Sequence, residues 1–311
     1  MLLKETIIGN ERAGEILEKG FKSDKLSHAY LFTGPEHLGK KTLALNFCRL
    51  LLQDGSTALR DNGANNDDNI ENNLDLTIIS PDEDEKQITI EKIRDLEKKM
   101  ALYPHSAKYK ITIIEQAEKM NKSAANALLK TLEEPSKTAI LILLASDSKN
   151  ILDTIKSRCQ LIKFLPVRKS LLEDFLKNKI ESKEEIEKII EMSGYRPGKI
   201  IEFVNDKNKF AEAKNNLNRI CDALKNNENA KLDEAENISK KELNEIISDL
   251  NLLIIYLRRF LIKEYKNSAG VSKSNLLKIK ERIELVCRAK ENLLTKNVNT
   301  KLAVENLFLN L

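Results

Sequence analysis

The chain of 311 residues has no tryptophan, 6 prolines, 10 glycines and 4 cysteines. The cysteines, Cys48, Cys159, Cys221 and Cys287, are far apart and form no Cys-x-x-Cys pair. That argues against a structural zinc site, and more strongly against a disulfide scaffold. No apolar run approaches the ~20 residues that cross a bilayer. The opening MLLKETIIGN has no basic-then-apolar signal pattern, so the expected location is cytoplasmic, with no membrane partner. Proline is missing after Pro197, which leaves the last third free to run as long helices. Excess charge is small too. The net is +4, with 24 Lys+Arg against 25 Asp+Glu in residues 1–165 and 28 against 23 in residues 166–311. Such a balance does not by itself indicate a nucleic-acid binder, and interspersed Lys and Glu on helices make solvated faces.

What is present is centred on residues 110–135, KITIIEQAEKMNKSAANALLKTLEEP. The β-branched run 111–114 reads as a buried strand, with Glu115 and Gln116 at its tip. Asn121 is a good N-cap for a helix with Ala125, Leu128, Leu129 and Leu132 on one face, stopped at Pro135. A second apolar run, 140–144, follows. Strand, polar tip, helix, strand is the pattern of a nucleotide-binding α/β sheet, in which carboxylates at strand ends serve a metal-bound nucleotide.

Upstream, a helix over 5–22 leads to a strand over 27–33, then Gly34-Pro35-Glu36-His37-Leu38-Gly39-Lys40-Lys41-Thr42 and a helix carrying Leu43, Phe47, Leu50 and Leu51. Residues 34–40 fit G-x-x-x-x-G-K, a loop whose glycines turn backbone N–H groups onto phosphate oxygens while Lys40 adds charge. The residue after Lys40 normally supplies a hydroxyl to Mg²⁺; here it is Lys41, with Thr42 one place late. At the strand tip the usual Asp-Glu pair reads Glu115-Gln116, and Gln cannot take a proton from water. Glu118, three residues past the tip, is set aside as a replacement on spacing. Efficient hydrolysis is not expected of such a site. Between these motifs, residues 54–75 are Asn- and Asp-rich and read as a mobile surface loop, followed by a strand over 76–80 and a helix over 91–102.

Ser157-Arg158-Cys159 precedes a strand over 160–164. Two roles are open to Arg158: a local pair with a carboxylate, or a finger reaching into a neighbour's nucleotide site. After Pro166 the strand signals end. Residues 167–205 read as two or three short helices broken at Gly194 and by Pro197-Gly198, and long helices are expected near 209–226, 239–266, 274–294 and 299–310. The parts are 1–165, a mostly parallel α/β domain; 166–207, a small helical lid; and 208–311, an all-helical domain. Leu252, Leu253, Ile254, Ile255, Leu257, Phe260 and Leu261 make a helix stretch apolar enough to be buried on more than one side, against its own domain or a neighbour.

The motifs HAYLF at 28–32, Gly34-Pro35 with Gly39-Lys40, NALLKTLEEP at 126–135 and SRC at 157–159 together resemble the bacterial clamp-loader subunits of the AAA+ class. The likeness spans about residues 5–205 by motif and the remainder by helical layout. The motor (tau/gamma) branch keeps a hydroxyl after the lysine, an Asp-Glu tip and a four-cysteine zinc module. With Lys41, Glu115-Gln116 and no cysteine between Cys48 and Cys159, this chain is similar instead to the delta-prime branch of DNA polymerase III. That resemblance implies a P-loop AAA+ domain, a lid and a collar of C-terminal helices. It implies a rigid stator with no ATPase of its own, in a hetero-pentameric ring with motor and delta subunits that serves the sliding clamp and primed DNA. It implies that Arg158 acts in trans on the adjacent motor. No cofactor is required, ATP or ADP can sit in the cradle without being split, and no zinc or other metal is expected. The lid sensor position falls at Gly198, with Arg196 and Lys199 beside it, and the first sensor at Ser146 or Asp147. The competing readings are an active ATPase motor of the same class and a phosphotransferase on the same loop. The latter would need arginines clustered in the lid, and 167–205 holds only Arg168 and Arg196.

Overall fold

A computed structural model describes residues 3, 6–53, 67–81, 87–266, 273–295 and 298–311. The chain divides into two compact units, one of residues 1–175 with 196–198 and one of residues 176–195 with 199–311.

The first unit is built on five parallel strands: β1 (Ala29–Thr33), β2 (Leu76–Ile79), β3 (Lys110–Ile114), β4 (Ala139–Ala145) and β5 (Gln160–Lys163). Their spatial order is β2-β3-β4-β1-β5. Registers are fixed by pairs such as Leu31 with Leu143, Ile113 with Ile142 and Phe32 with Ile162. Helices α1 (Glu11–Lys22), α2 (Lys40–Gln53), α3 (Ile90–Met100), α4 (Lys122–Glu133) and α5 (Asp153–Lys156) connect and cover them.

Side chains alternate across the sheet. Tyr30, Phe32, Ile140, Ile142 and Leu144 pack with Leu17 of α1 and Leu43 and Phe47 of α2. Ala29, Leu31, Leu141 and Leu143 pack on the opposite face with Ile93 and Leu96 of α3 and Leu128 and Leu132 of α4. Strands of a parallel sheet covered on both faces read as near-continuous apolar runs. This is why β4, buried along its whole length, reads as an unbroken run rather than an alternation.

Several boundaries differ from the sequence expectation. The first helix begins at Glu11, not residue 5, because Gly9 and Asn10 both take left-handed φ values, 69° and 55°. Asn10 instead clasps the chain after β5: its side-chain amide donates to the Leu165 carbonyl (3.0 Å), and its Oδ1 accepts from the Leu165 N–H (2.8 Å). Of the Asn/Asp-rich stretch, 54–66 lie outside the described residues, but Asp67–Asn72 form a short 3₁₀ helix. Asp75 is fully buried, not looped out. Its carboxylate accepts from the backbone N–H groups of His105 (2.6 Å), Ser106 (2.8 Å) and Ala107 (3.0 Å). The helix after β3 starts as expected, with the Asn121 side chain accepting from the Ala124 N–H at 2.8 Å.

α6 (Lys169–Lys177), α7 (Lys183–Met192) and α8 (Pro197–Asn205) are the three short helices of the 167–205 stretch, with Gly194 in the left-handed region between the last two. In the second unit follow α9 (Lys207–Lys225), α10 (Glu228–Ser239), α11 (Leu243–Lys266), α12 (Lys273–Thr295) and α13 (Thr300–Asn310). The sequence pattern does not show α10. Its ENAKLDEAENIS contributes little more than Ala235 and Ile238 to the apolar core, too few to mark a face among so many charges. The core of this unit joins Ile220, Ile238, Leu250, Leu253, Val286, Val304 and Phe308. Leu253, Ile254 and Leu257 of the apolar α11 stretch are buried within it; Leu252 is buried too but is not part of that cluster, and Phe260 is exposed. Among the described residues no helix is long and apolar enough to cross a membrane.

Candidate functional site

The order of the sheet places β1 between β4 and β5, so the loop leaving β1 emerges beside the carboxyl ends of those two strands, with β3 on the far side of β4. Gly34 opens that loop with its N–H on the Ala145 carbonyl of β4 (3.2 Å). Its φ of 143° and the Phe164 carbonyl, which would lie 2.3 Å from a Cβ, exclude any side chain there. Gly39 turns the chain into α2 at φ 86°, with Leu38 buried beneath the loop. Pro35 lies between the two glycines, and Thr42 follows in the first turn of α2, exposed.

Lys40 bends back over the loop. Its ammonium donates to the carbonyls of Gly34 and Pro35, the latter at 2.7 Å. Burial pushes its pKa down to about 8, against the opposing pull of the Glu36 and Glu118 carboxylates. Phosphate oxygens arriving at the loop would therefore compete with two carbonyls for its protons, and their charge would offset the effect of burial on its pKa.

Lys41 points the other way. Its Nζ lies 2.9 Å from Glu115 Oε1 and 3.6 Å from Glu71 Oε1. The hydrogen bond to Glu115 raises its pKa against a modest burial cost, with Glu71 adding to the rise. Ser80 Oγ donates to the other Glu115 oxygen at 3.2 Å. Gln116 is exposed and left-handed at φ 49°, ψ 48°, at the head of a 3₁₀ turn over Ala117–Lys119.

That turn brings in a residue the linear spacing had dismissed. Glu118 folds back to accept hydrogen bonds from the Ser146 N–H, at 3.0 Å, and from the Ser146 hydroxyl. It is close enough for its charge to act on Lys40. Linear spacing carries the chain outward from the strand; a 3₁₀ turn reverses it instead. The signal available in the sequence was the pair of a carboxylate after β3 and a serine after β4, adjacent strands of one sheet. Glu71 lay beyond sequence reasoning altogether.

The turn at Arg196–Gly198 belongs to the same unit. The Gly198 N–H donates to the His37 carbonyl of the loop at 2.8 Å, and a Cβ at Gly198 would sit 3.1 Å from His37 backbone atoms. Arg196 is mostly buried there, its pKa lowered by burial and partly restored by Glu36. Lys199 pairs instead with Glu202 at 3.0 Å, in the second unit. Arg158, at the α5–β5 junction, lies outside the cradle. Its Nη2 is 2.8 Å from Glu133 Oε1 at the end of α4, and its Nη1 donates to the Thr154 carbonyl at 3.0 Å.

A family model described as "DNA polymerase III, delta subunit" matches residues 9–168. A DNA polymerase III subunit delta′ of Bacillus subtilis is 35% identical over 170 residues, 53% of this chain and 50% of that protein. One of Pseudomonas aeruginosa is 37% identical over 136 residues, 43% of this chain and 42% of that protein. The chain belongs to the DNA polymerase III delta-prime subunit family. The match to these delta-prime relatives spans about half of their length. The crystal structure of a DNA polymerase III gamma subunit-related protein from Thermotoga maritima is similar in fold, with a TM-score of 0.50 at 20% identity, covering 94% of this chain and 97% of that one.

The residues of this delta-prime family member do not fit the magnesium ion that a working P-loop carries. The hydroxyl position is Lys41, and the strand-tip carboxylate meant for the ion's shell already holds its ammonium. Among the described residues no group of three or more His, Cys, Asp or Glu could hold a metal.

Proposed function

We propose that this chain is a non-hydrolysing subunit of a clamp-loader ring, helping to place a sliding clamp on primed DNA. In this reading it stands beside motor (tau/gamma) and delta subunits as a fixed wall. The Lys41–Glu115 ion pair carries the proposal: the carboxylate that would order a metal's water shell is engaged by a side chain, while Gln116 at the base position is solvent-exposed and cannot accept a proton. The cradle can retain ADP or ATP without splitting it.

In the same reading Arg158 is lent to the neighbouring motor subunit. Its present partner Glu133 is half-exposed. A surface pair of this kind contributes about 0–1 kcal/mol, so exchanging it for a triphosphate costs little. A guanidinium is always charged and offers a planar fork to phosphate oxygens.

The test is a phosphate-release assay on the isolated chain and on the complex reconstituted with motor and delta subunits, clamp and primed DNA. The isolated chain should release phosphate no faster than buffer. Arg158→Ala should leave assembly intact on size exclusion and lower turnover of the complex by up to about 10³-fold at the affected site. Brisk turnover by the chain alone, or unchanged turnover in the mutant complex, would overturn the corresponding half of the proposal.

A further inference from the structure

Lys41 stands where a working site presents a hydroxyl to Mg²⁺, and its longer side chain reaches the carboxylates at the place of the ion. Two carboxylates converge on its ammonium, Glu115 at 2.9 Å and Glu71 at 3.6 Å. An ammonium has three protons. Both contacts are ion pairs, and the lysine side chain is half-exposed, so its ammonium stays open to an incoming anion. A divalent ion seeking Glu115 would have to displace a like charge already bonded to it. Lys40 is held 2.7 Å from the Pro35 carbonyl on the other side of the loop, and the first turn of α2 adds its free N–H groups.

We propose that the Lys41 ammonium is a tethered replacement for the divalent cation, so that this cradle takes a nucleoside di- or triphosphate free of metal and Mg²⁺ competes with binding instead of supporting it. The inference rests on reading residues 34–42 as a phosphate cradle, as in the proposed function, but not on the ring or on Arg158. Charge favours the exchange: metal-free phosphates carry the negative charge that Mg²⁺ would otherwise mask, and here two ammonium groups flank the loop that would receive it.

Isothermal titration of the full chain with ADP and with ATP, each in EDTA and in excess MgCl₂, tests this. The wild type should bind at least as tightly in EDTA as in Mg²⁺. Lys41→Met should weaken ADP in EDTA by about tenfold or more, the loss of one charge-assisted hydrogen bond. Lys41→Thr, which restores the hydroxyl, should reverse the order and bind more tightly with Mg²⁺. Electron paramagnetic resonance with Mn²⁺ and ADP should report bound metal only in Lys41→Thr, and circular dichroism checks that both variants are folded. Wild-type binding tenfold or more tighter in Mg²⁺, or bound Mn²⁺ in the wild type, overturns the replacement. Absence of binding by either nucleotide in either buffer overturns the ligand assignment. Neither result bears on Arg158, and whether the chain splits ATP by itself is read separately by the phosphate-release experiment.

Discussion

Glu118 and Ser146 are joined by two hydrogen bonds, from the serine's N–H at 3.0 Å and from its hydroxyl, tying the turn after β3 to the end of β4. The carboxylate so fixed helps set the charge state of Lys40, whose pKa burial depresses to about 8. Glu118→Gln should move that pKa lower still. The pH dependence of Lys40 acylation, read by mass spectrometry, checks this, with the midpoint near 8 in the wild type and below it in the mutant. The linked stability has a definite sign. Between about 8 and the ordinary lysine range the unfolded chain binds the extra proton, so this site favours the folded state increasingly as pH rises through that window.

Asp75 should matter more to stability than its place in an Asn- and Asp-rich stretch suggests. Burial alone would raise its pKa, but the N–H groups of residues 105–107, aided by Lys110, hold it below the usual carboxylate range. Asp75→Asn turns an NH₂ group or an uncharged oxygen toward those donors, and should cost about 2–3 kcal/mol at neutral pH in urea unfolding. A depressed folded-state pKa contributes stability that is complete above the unfolded value and lost as pH falls through the folded one. The gap between mutant and wild type should therefore close under acid.

Gly34→Ala should be among the most damaging single methyl additions in the first unit. The added carbon meets a backbone carbonyl, not a movable side chain, at a φ that L-residues avoid. A loss of about 3 kcal/mol or more in a thermal melt is expected. Gly198→Ala, whose nearest contacts are at 3.1 Å, should cost less.

Arg158→Ala and Glu133→Ala separate structure from function. Each removes the same exposed pair, so each should shift stability by less than about 1 kcal/mol. In the reconstituted complex only the arginine mutant should lose ATP turnover. Loss of comparable size in Glu133→Ala would mean that the local pair itself is what the assembly needs.

The parallel sheet was readable because a strand covered on both faces is nearly all apolar or β-branched, and β3 and β4 announce themselves that way. The loop at 34–40 was readable because its glycines and lysine are dictated by backbone geometry. Other features are decided by contacts distant in sequence. Asp75 is buried because of three amides some thirty residues on, and Glu118 turns inward through a single 3₁₀ turn. α10 escaped notice because its packing rests on few apolar residues, with Ala235 and Ile238 fully covered. The ion pairing of Lys41 with Glu115 and Glu71 also depends on the fold, since the sequence shows only that a hydroxyl is missing.

The Asn10 clasp has a consequence for how the molecule keeps to itself. β5 is the last strand of its sheet, with β1 on one side only, and such a border invites foreign backbone to continue the ladder. By satisfying both the amide and the carbonyl of Leu165 just past β5, one side chain blunts that invitation where the strand ends. The edge of the sheet is thereby less open to continuation by foreign peptide groups.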